Sequence, residues 1–177
     1  MKQVHIRRHA PKHSTGNLTN EGKNLAKKLK NKVEKYDLVI SSDKPRAIET
    51  AIVITDTNPI VDKRAGTPVF TPQQEKELHE LGQNHQYGIA GVIYDNPEYR
   101  VKIKDQGASL RNLIKETFIQ LPKNGKALII SHDGVMVTAE RLLKNKSLDR
   151  AEKTFRPLMG FVVYEDGSIE DLISEEI

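Results

Sequence analysis

Three short apolar runs, each ending in chemically loaded residues, constrain the fold of this 177-residue chain more than any other feature. Val4-His5-Ile6-Arg7 runs into Arg8-His9, Asp37-Leu38-Val39-Ile40 into Ser41-Ser42-Asp43-Lys44-Pro45-Arg46, and Ala127-Leu128-Ile129-Ile130 into Ser131-His132-Asp133-Gly134. Runs this short, with polar residues at their ends, read as strands. The segments between them have helical apolar spacing, and strands alternating with helices predict a largely parallel sheet covered on both faces. The fold expected is a three-layer α/β/α sandwich. In such a sheet ligands bind beyond the carboxyl ends of the strands, where residues distant in sequence converge. Arg8, His9, Arg46 and His132 would meet there, and two histidines with two arginines suit a phosphate.

The spacing predicts strands at 2–8, 37–41 and 126–131, with helices at 19–34, 44–55, 109–121 and 134–144. Phe161-Val162-Val163-Tyr164, the turn Glu165-Asp166-Gly167-Ser168 and Ile169 onward predict a terminal hairpin of 160–165 with 168–173. Pro68-Val69-Phe70 is strand-like. Residues 82–107 are rich in Gly, Asn, Gln and Tyr, contain Pro97 and show no sustained period. A stretch of that kind in a compact domain reads as a lid or substrate-recognition insertion. One domain over 1–177 is expected, since single domains commonly run to roughly 100–200 residues.

Composition removes several classes. With no cysteine there is no disulfide scaffold, thiolate nucleophile or cysteine-bound metal. No apolar run reaches the roughly 20 residues of a membrane span, and the first residues lack the apolar core of a signal peptide. A soluble, cytoplasmic protein without a membrane partner is expected. The net charge of +4 favours anionic ligands. Six lysines fall between Lys23 and Lys35 against the single acid Glu34, but no aromatic residues interleave with them as a base-stacking platform requires. They read as the solvated face of a helix whose Leu25, Ala26, Leu29 and Val33 turn inward, and no nucleic-acid partner is expected. Gly16 to Lys23 fails as a phosphate-binding loop: five residues separate Gly16 from Gly22, and Asn24 stands where Ser or Thr is needed. His5, His9 and His13 have helical metal-ligand spacing, but a strand pattern precedes His9 and Pro11 follows it. No metal and no cofactor is expected. His79 and His85 read as surface residues.

The phosphate reading gives each residue its own task. A neutral imidazole is a competent nucleophile near neutral pH. Arginine offers a planar fork of donors matched to phosphate oxygens, and its charge also favours the neutral form of a nearby histidine. Phosphoryl transfer needs mainly positioning and charge stabilisation, which these side chains can supply.

Arg8-His9-Ala10, then Leu18-Thr19-Asn20-Glu21-Gly22 with Ala26, then Ser41 to Ala51, and finally Ser131-His132-Asp133-Gly134 resemble, in order, the motifs of the histidine phosphatase superfamily, the phosphoglycerate mutase-like family. The resemblance spans residues 4–143. It implies a phosphoglycerate mutase-like fold, with His9 as the phosphorylated nucleophile, Arg8 and Arg46 as phosphate-holding arginines, and His132 as the second pocket histidine. The family's general acid lies in a leucine, any residue, glutamate pattern, which Leu78-His79-Glu80 fits; Glu80 is the acid expected and Glu77 the runner-up. Asn17 and Asp133 complete the substrate contacts expected. Two departures stand out. Ala10 replaces the usual glycine, and Gly107-Ala108-Ser109 replaces a common Gly-Glu-Ser, which leaves Ser109 as the expected N-cap of the next helix.

The activity implied is a metal-independent phosphatase acting through a phosphohistidine on phosphomonoesters or phosphohistidine, its partner a phosphorylated small molecule or a phosphoprotein. The alternatives are a phosphoglycerate mutase-type phosphotransferase and a catalytically weak phosphate-binding regulatory module.

Overall fold

The most apolar of the runs becomes the centre of the molecule. In the computed structural model, which describes residues 1–173, Lys126–Ser131 forms a strand buried from Ala127 onward. The strands are β1 (Gln3–Arg8), β2 (Leu38–Ser41), β3 (Ile60–Val61), β4 (Lys126–Ser131), β5 (Gly160–Tyr164) and β6 (Ile169–Leu172). They form one six-stranded sheet in the order β3-β2-β4-β1-β5-β6. β4 pairs in parallel with β1 on one side and β2 on the other, β3 continues the parallel part, and β5 and β6 add an antiparallel edge. The sheet is therefore mostly parallel.

Helices α1 (Asn20–Lys30), α2 (Pro45–Thr55), α3 (Pro72–Gly82), α4 (Gly88–Asp95), α5 (Pro97–Gln120) and α6 (Asp133–Leu143) cover it. Side chains of a strand alternate between faces. Leu128 and Ile130 accordingly join Ala26 and Leu29 of α1 and Ala47, Ala51 and Ile54 of α2 in one buried cluster. Ala127 and Ile129, with Val4 and Ile6, join Ile103, Leu110 and Ile114 of α5 and Val135, Met136 and Ala139 of α6 in the other. The result is three layers, each buried Leu or Ile contributing about 1.5–3 kcal/mol of apolar burial. α1 is capped by Thr19, whose hydroxyl accepts from Gly22 N at 2.9 Å, and its lysines 23, 27 and 28 are exposed. It ends at Lys30, short of the expected 34, and Val33 packs from the turn that follows.

Residues 82–107 depart from expectation: they hold α4 and the first half of α5 rather than irregular chain. Asn96 starts α5, its side-chain oxygen accepting from Glu98 N at 2.9 Å, and Pro97 occupies the first helical position. Ser109 therefore sits mid-helix, donating to Asp105 O at 3.0 Å, and is not an N-cap. Gly107 lies where α5 crosses α6; a Cβ there would come within 2.3 Å of Thr138 Cγ2. Pro68-Val69-Phe70 is not a strand, and the parallel edge is made by Ile60–Val61. Thr71 opens α3 with a reciprocal capping box to Gln74. The expected domain of 1–177 extends four residues past the described chain, 174–177 lying outside it.

Candidate active site

The parallel register sets Arg8 opposite Ser131 and Ser41 opposite Ile130, so the carboxyl ends of β1, β2 and β4 lie side by side. His9, Arg46 and His132 follow those ends, and with Arg8 they line one cavity of about 650 Å³. His9 N donates to Ser131 O at 3.1 Å, and Ala10 N to Thr50 Oγ1 at 3.0 Å. Thr50 in turn donates to Arg46 O at 2.6 Å, locking the residue after His9 to α2. Pro45 suits the first turn of α2, where its missing N–H costs nothing, and it sets Arg46 at the positive end of the helix dipole.

The two histidines are 8% and 5% exposed, with ring centroids 5.2 Å apart. His9 Nδ1 lies 2.8 Å from Ala10 O, an acceptor only, so Nδ1 carries the hydrogen and Nε2 the lone pair. Arg46 Nε donates to that Nε2 at 3.1 Å. Arg46 Nη2 meets His132 Nδ1 at 3.2 Å, which leaves His132 Nε2 to donate to Ser42 Oγ at 2.8 Å. Burial pushes the pKa of His9 down to about 3, the charges of Arg46, Arg8 and Lys12 reinforcing it and the Ala10 bond opposing it. His132 is likewise held well below 6.5, by burial first and then by His9 and Arg46. Both rings are thus neutral at pH 7.

Arg8 donates through Nη1 to Phe155 O at 2.5 Å. Asp133, expected as a substrate contact, instead accepts from the Thr154 hydroxyl at 2.5 Å and from Phe155 N at 2.6 Å, with Arg8 Nη1 at 3.8 Å. Burial raises its pKa, Arg8 counteracting. Asp133 lines the cavity, and both of its carboxylate oxygens are engaged in anchoring the loop at Thr154 and Phe155. Asn17 is exposed and does not line the cavity; its carbonyl closes a turn by accepting from His13 N at 2.8 Å, and Gly16, at φ 100°, supplies the left-handed residue.

The expected acids also fall elsewhere. Glu80 is 65% exposed, 3.8 Å from Lys76, and outside the cavity. Glu77 accepts from the Tyr99 hydroxyl at 2.9 Å. The face of α3 that lines the cavity carries Glu75, Leu78, His79 and Gly82, at helical spacing. At 3.6 residues per turn Glu80 projects roughly 140° away from Glu75. Glu75 also lies near enough to Arg46 to support its charge. Lys12, three positions after His9, also lines the cavity without having been among the expected site residues. Its signal was proximity to the strand end, and that of Glu75 the phase of a helix whose Thr71 cap and Pro72 are visible in the sequence.

Among the described residues no group of three or more His, Asp or Glu side chains is placed to share a metal ion, and no helix is long and apolar enough to cross a membrane.

No family model and no curated protein matches the sequence. Solved structures do. A phosphoserine phosphatase from Entamoeba histolytica, in complex with 3-phosphoglyceric acid, is 15% identical with a TM-score of 0.70, over 99% of either chain. A mycobacterial glucosyl-3-phosphoglycerate phosphatase in complex with VO3 is 15% identical with a TM-score of 0.69, over 97% of either chain. A phosphoglycerate mutase from Bacillus anthracis is 16% identical with a TM-score of 0.65, over 96% of this chain and 90% of that one. The chain thus has the phosphoglycerate mutase-like fold, the fold of the histidine phosphatase superfamily.

Proposed function

We infer that this protein is a histidine phosphatase that hydrolyses phosphomonoesters through a phosphohistidine at His9. The observation that carries the reading is the state of His9: a neutral ring whose Nδ1 is committed to Ala10 O and whose Nε2 lone pair faces a cavity flanked by Arg8, Arg46 and His132. When a phosphoryl group enters, Arg46 Nε exchanges His9 Nε2 for a phosphoryl oxygen, which frees the lone pair for attack. Nε2 then bonds to phosphorus as the ester P–O bond breaks, and Glu75 hands its proton to the leaving oxygen. Arg8 and Arg46 hold the equatorial oxygens, and His132 Nδ1, accepting from Arg46 Nη2, helps aim that guanidinium. In the second step Glu75 takes a proton from water, the water oxygen bonds to phosphorus, and the P–N electron pair returns to Nε2. Glu75 takes the role first expected of Glu80 because it is the carboxyl group of α3 that lines the cavity.

The cavity is far larger than a phosphate, and much of its lining is apolar, including Phe70, Leu78, Ile89, Ile93 and Val135. His9 lines it while only 8% exposed. Both features favour a small organic phosphomonoester that enters whole over the side chain of a phosphoprotein. Ser14, Glu75 and Gln83 line the cavity as exposed residues, so water can reach the phosphohistidine, which favours hydrolysis over mutase turnover.

The test is to mix protein with a panel of phosphomonoesters, quench, and look for protein-bound phosphate that is base-stable and acid-labile. Wild type is expected to carry it and to keep turning over in EDTA, while His9→Ala loses both label and turnover. Near-normal turnover by His9→Ala would overturn the assignment.

A further inference from the structure

The loop joining α6 to β5, residues 144–159, supplies no reacting group, yet it closes on Arg8 from several directions. Arg8 N donates to Met159 O at 2.9 Å, Leu158 N donates to Arg8 O at 3.0 Å, and Phe155 O takes Arg8 Nη1. Arg8 Nε is buried with no hydrogen-bond partner, so the aim of the guanidinium rests largely on the Phe155 carbonyl. That carbonyl is held by Asp133 through Phe155 N and the Thr154 hydroxyl.

The next residue back ties the loop to the far end of α6. Lys153 Nζ donates to Glu140 Oε1 at 2.8 Å and to Asp171 Oδ1 at 2.9 Å, and stands 4.6 Å from the Phe155 ring centroid. Glu140 is 3% exposed and also receives Lys144 Nζ at 2.6 Å. A carboxylate this buried demands its cations and fixes them in return. α6 is therefore bracketed by its own loop, with Asp133 in its first turn gripping Thr154 and Phe155, and Glu140 two turns on gripping Lys153. Neither Glu140 nor Lys153 lines the cavity.

The geometry points to Glu140 and Lys153 as positioning residues of the phosphate pocket, which act through Thr154 and Phe155 to set the direction of the Arg8 guanidinium. This rests on the pocket's binding a phosphoryl group, and its test needs no turnover. Orthovanadate affinity is measured by calorimetry for wild type, Lys153→Met, Arg8→Ala and the double variant, with thermal melting of each. A misaimed arginine predicts that Lys153→Met weakens binding roughly tenfold when Arg8 is present. In the Arg8→Ala background the same change should cost less than about twofold. Lys153→Arg, which keeps the charge, should restore most of the affinity. Glu140→Gln repeats the cycle from the other side of the ion pair and decides the matter if Lys153→Met does not fold. An equal loss in both backgrounds, or none in either, overturns the proposal. Vanadate binding without turnover in wild type would sink the phosphatase reading and leave this one standing.

Discussion

Keeping a histidine neutral takes burial or neighbouring positive charge, and His9 receives both. The sign of the resulting pH dependence follows. In the unfolded chain His9 takes up a proton near 6.5, in the folded protein only near 3, so below about pH 6.5 the unfolded state binds the extra proton. Folded stability should fall as pH drops through that window, by about 2 kcal/mol at pH 5 from His9 alone. Melting measured from about pH 7 to pH 4 is expected to show this, with a shallower slope for His9→Gln and a recovery in saturating phosphate, whose charge favours protonated imidazole. The acid invites a sharper measurement. Glu75→Gln should slow hydrolysis of alkyl phosphates by roughly 10²-fold and affect p-nitrophenyl phosphate far less, since nitrophenolate leaves without a proton, whereas Glu80→Gln should do little to either. Selective loss in Glu80→Gln would return the role to that residue. Arg8, His9 and His132 were legible in the sequence because each directly ends or follows a strand, and Arg46 because Pro45 marks the start of the helix that follows β2. Glu75 was not, because an acid on a helix needs the helix's rotation as well as its existence.

At the scale of elements the sequence misleads where glycine has a tertiary reason. Gly88 and Gly91 in α4 and Gly107 in α5 weaken any helical reading of 82–107, and α4 is only eight residues long. What makes Gly107 necessary is invisible from its own segment: α6 runs so close that Thr138 occupies the space of a Cβ. Thr138 cannot easily turn aside, since its hydroxyl donates to Gly134 O at 2.9 Å and meets Tyr94 OH at 2.8 Å. Two effects therefore oppose each other in Gly107→Ala. Helix propensity gains about 1 kcal/mol, while overpacking costs about 1–3 kcal/mol. The clash should win, lowering the melting temperature by a few degrees. Adding Thr138→Ser, which removes Cγ2 and keeps the hydroxyl, should return it to wild type or above. An unchanged melting temperature in the single variant would mean that α5 and α6 separate freely.

For the whole molecule, alternation of strand and helix along the chain carried the three layers and the largely parallel sheet, and the Gly167 turn carried the hairpin. Which strand lies beside which is decided by long-range packing and has no local trace, and the two-residue β3 is too short to show a pattern. The strand order has its own consequence. β4 lies between β1 and β2, yet it is made some 85 residues after β2. As the chain emerges from the ribosome, both neighbours must wait with a ladder edge unpaired, and the pocket they share has no floor. Pairings of such sequence separation form slowly and leave apolar surface uncovered meanwhile. The nascent protein is thus most vulnerable to aggregation and most in need of chaperone cover late in synthesis, until Lys126–Ser131 arrives to join β1 to β2 and Gly160–Tyr164 covers the remaining edge of β1.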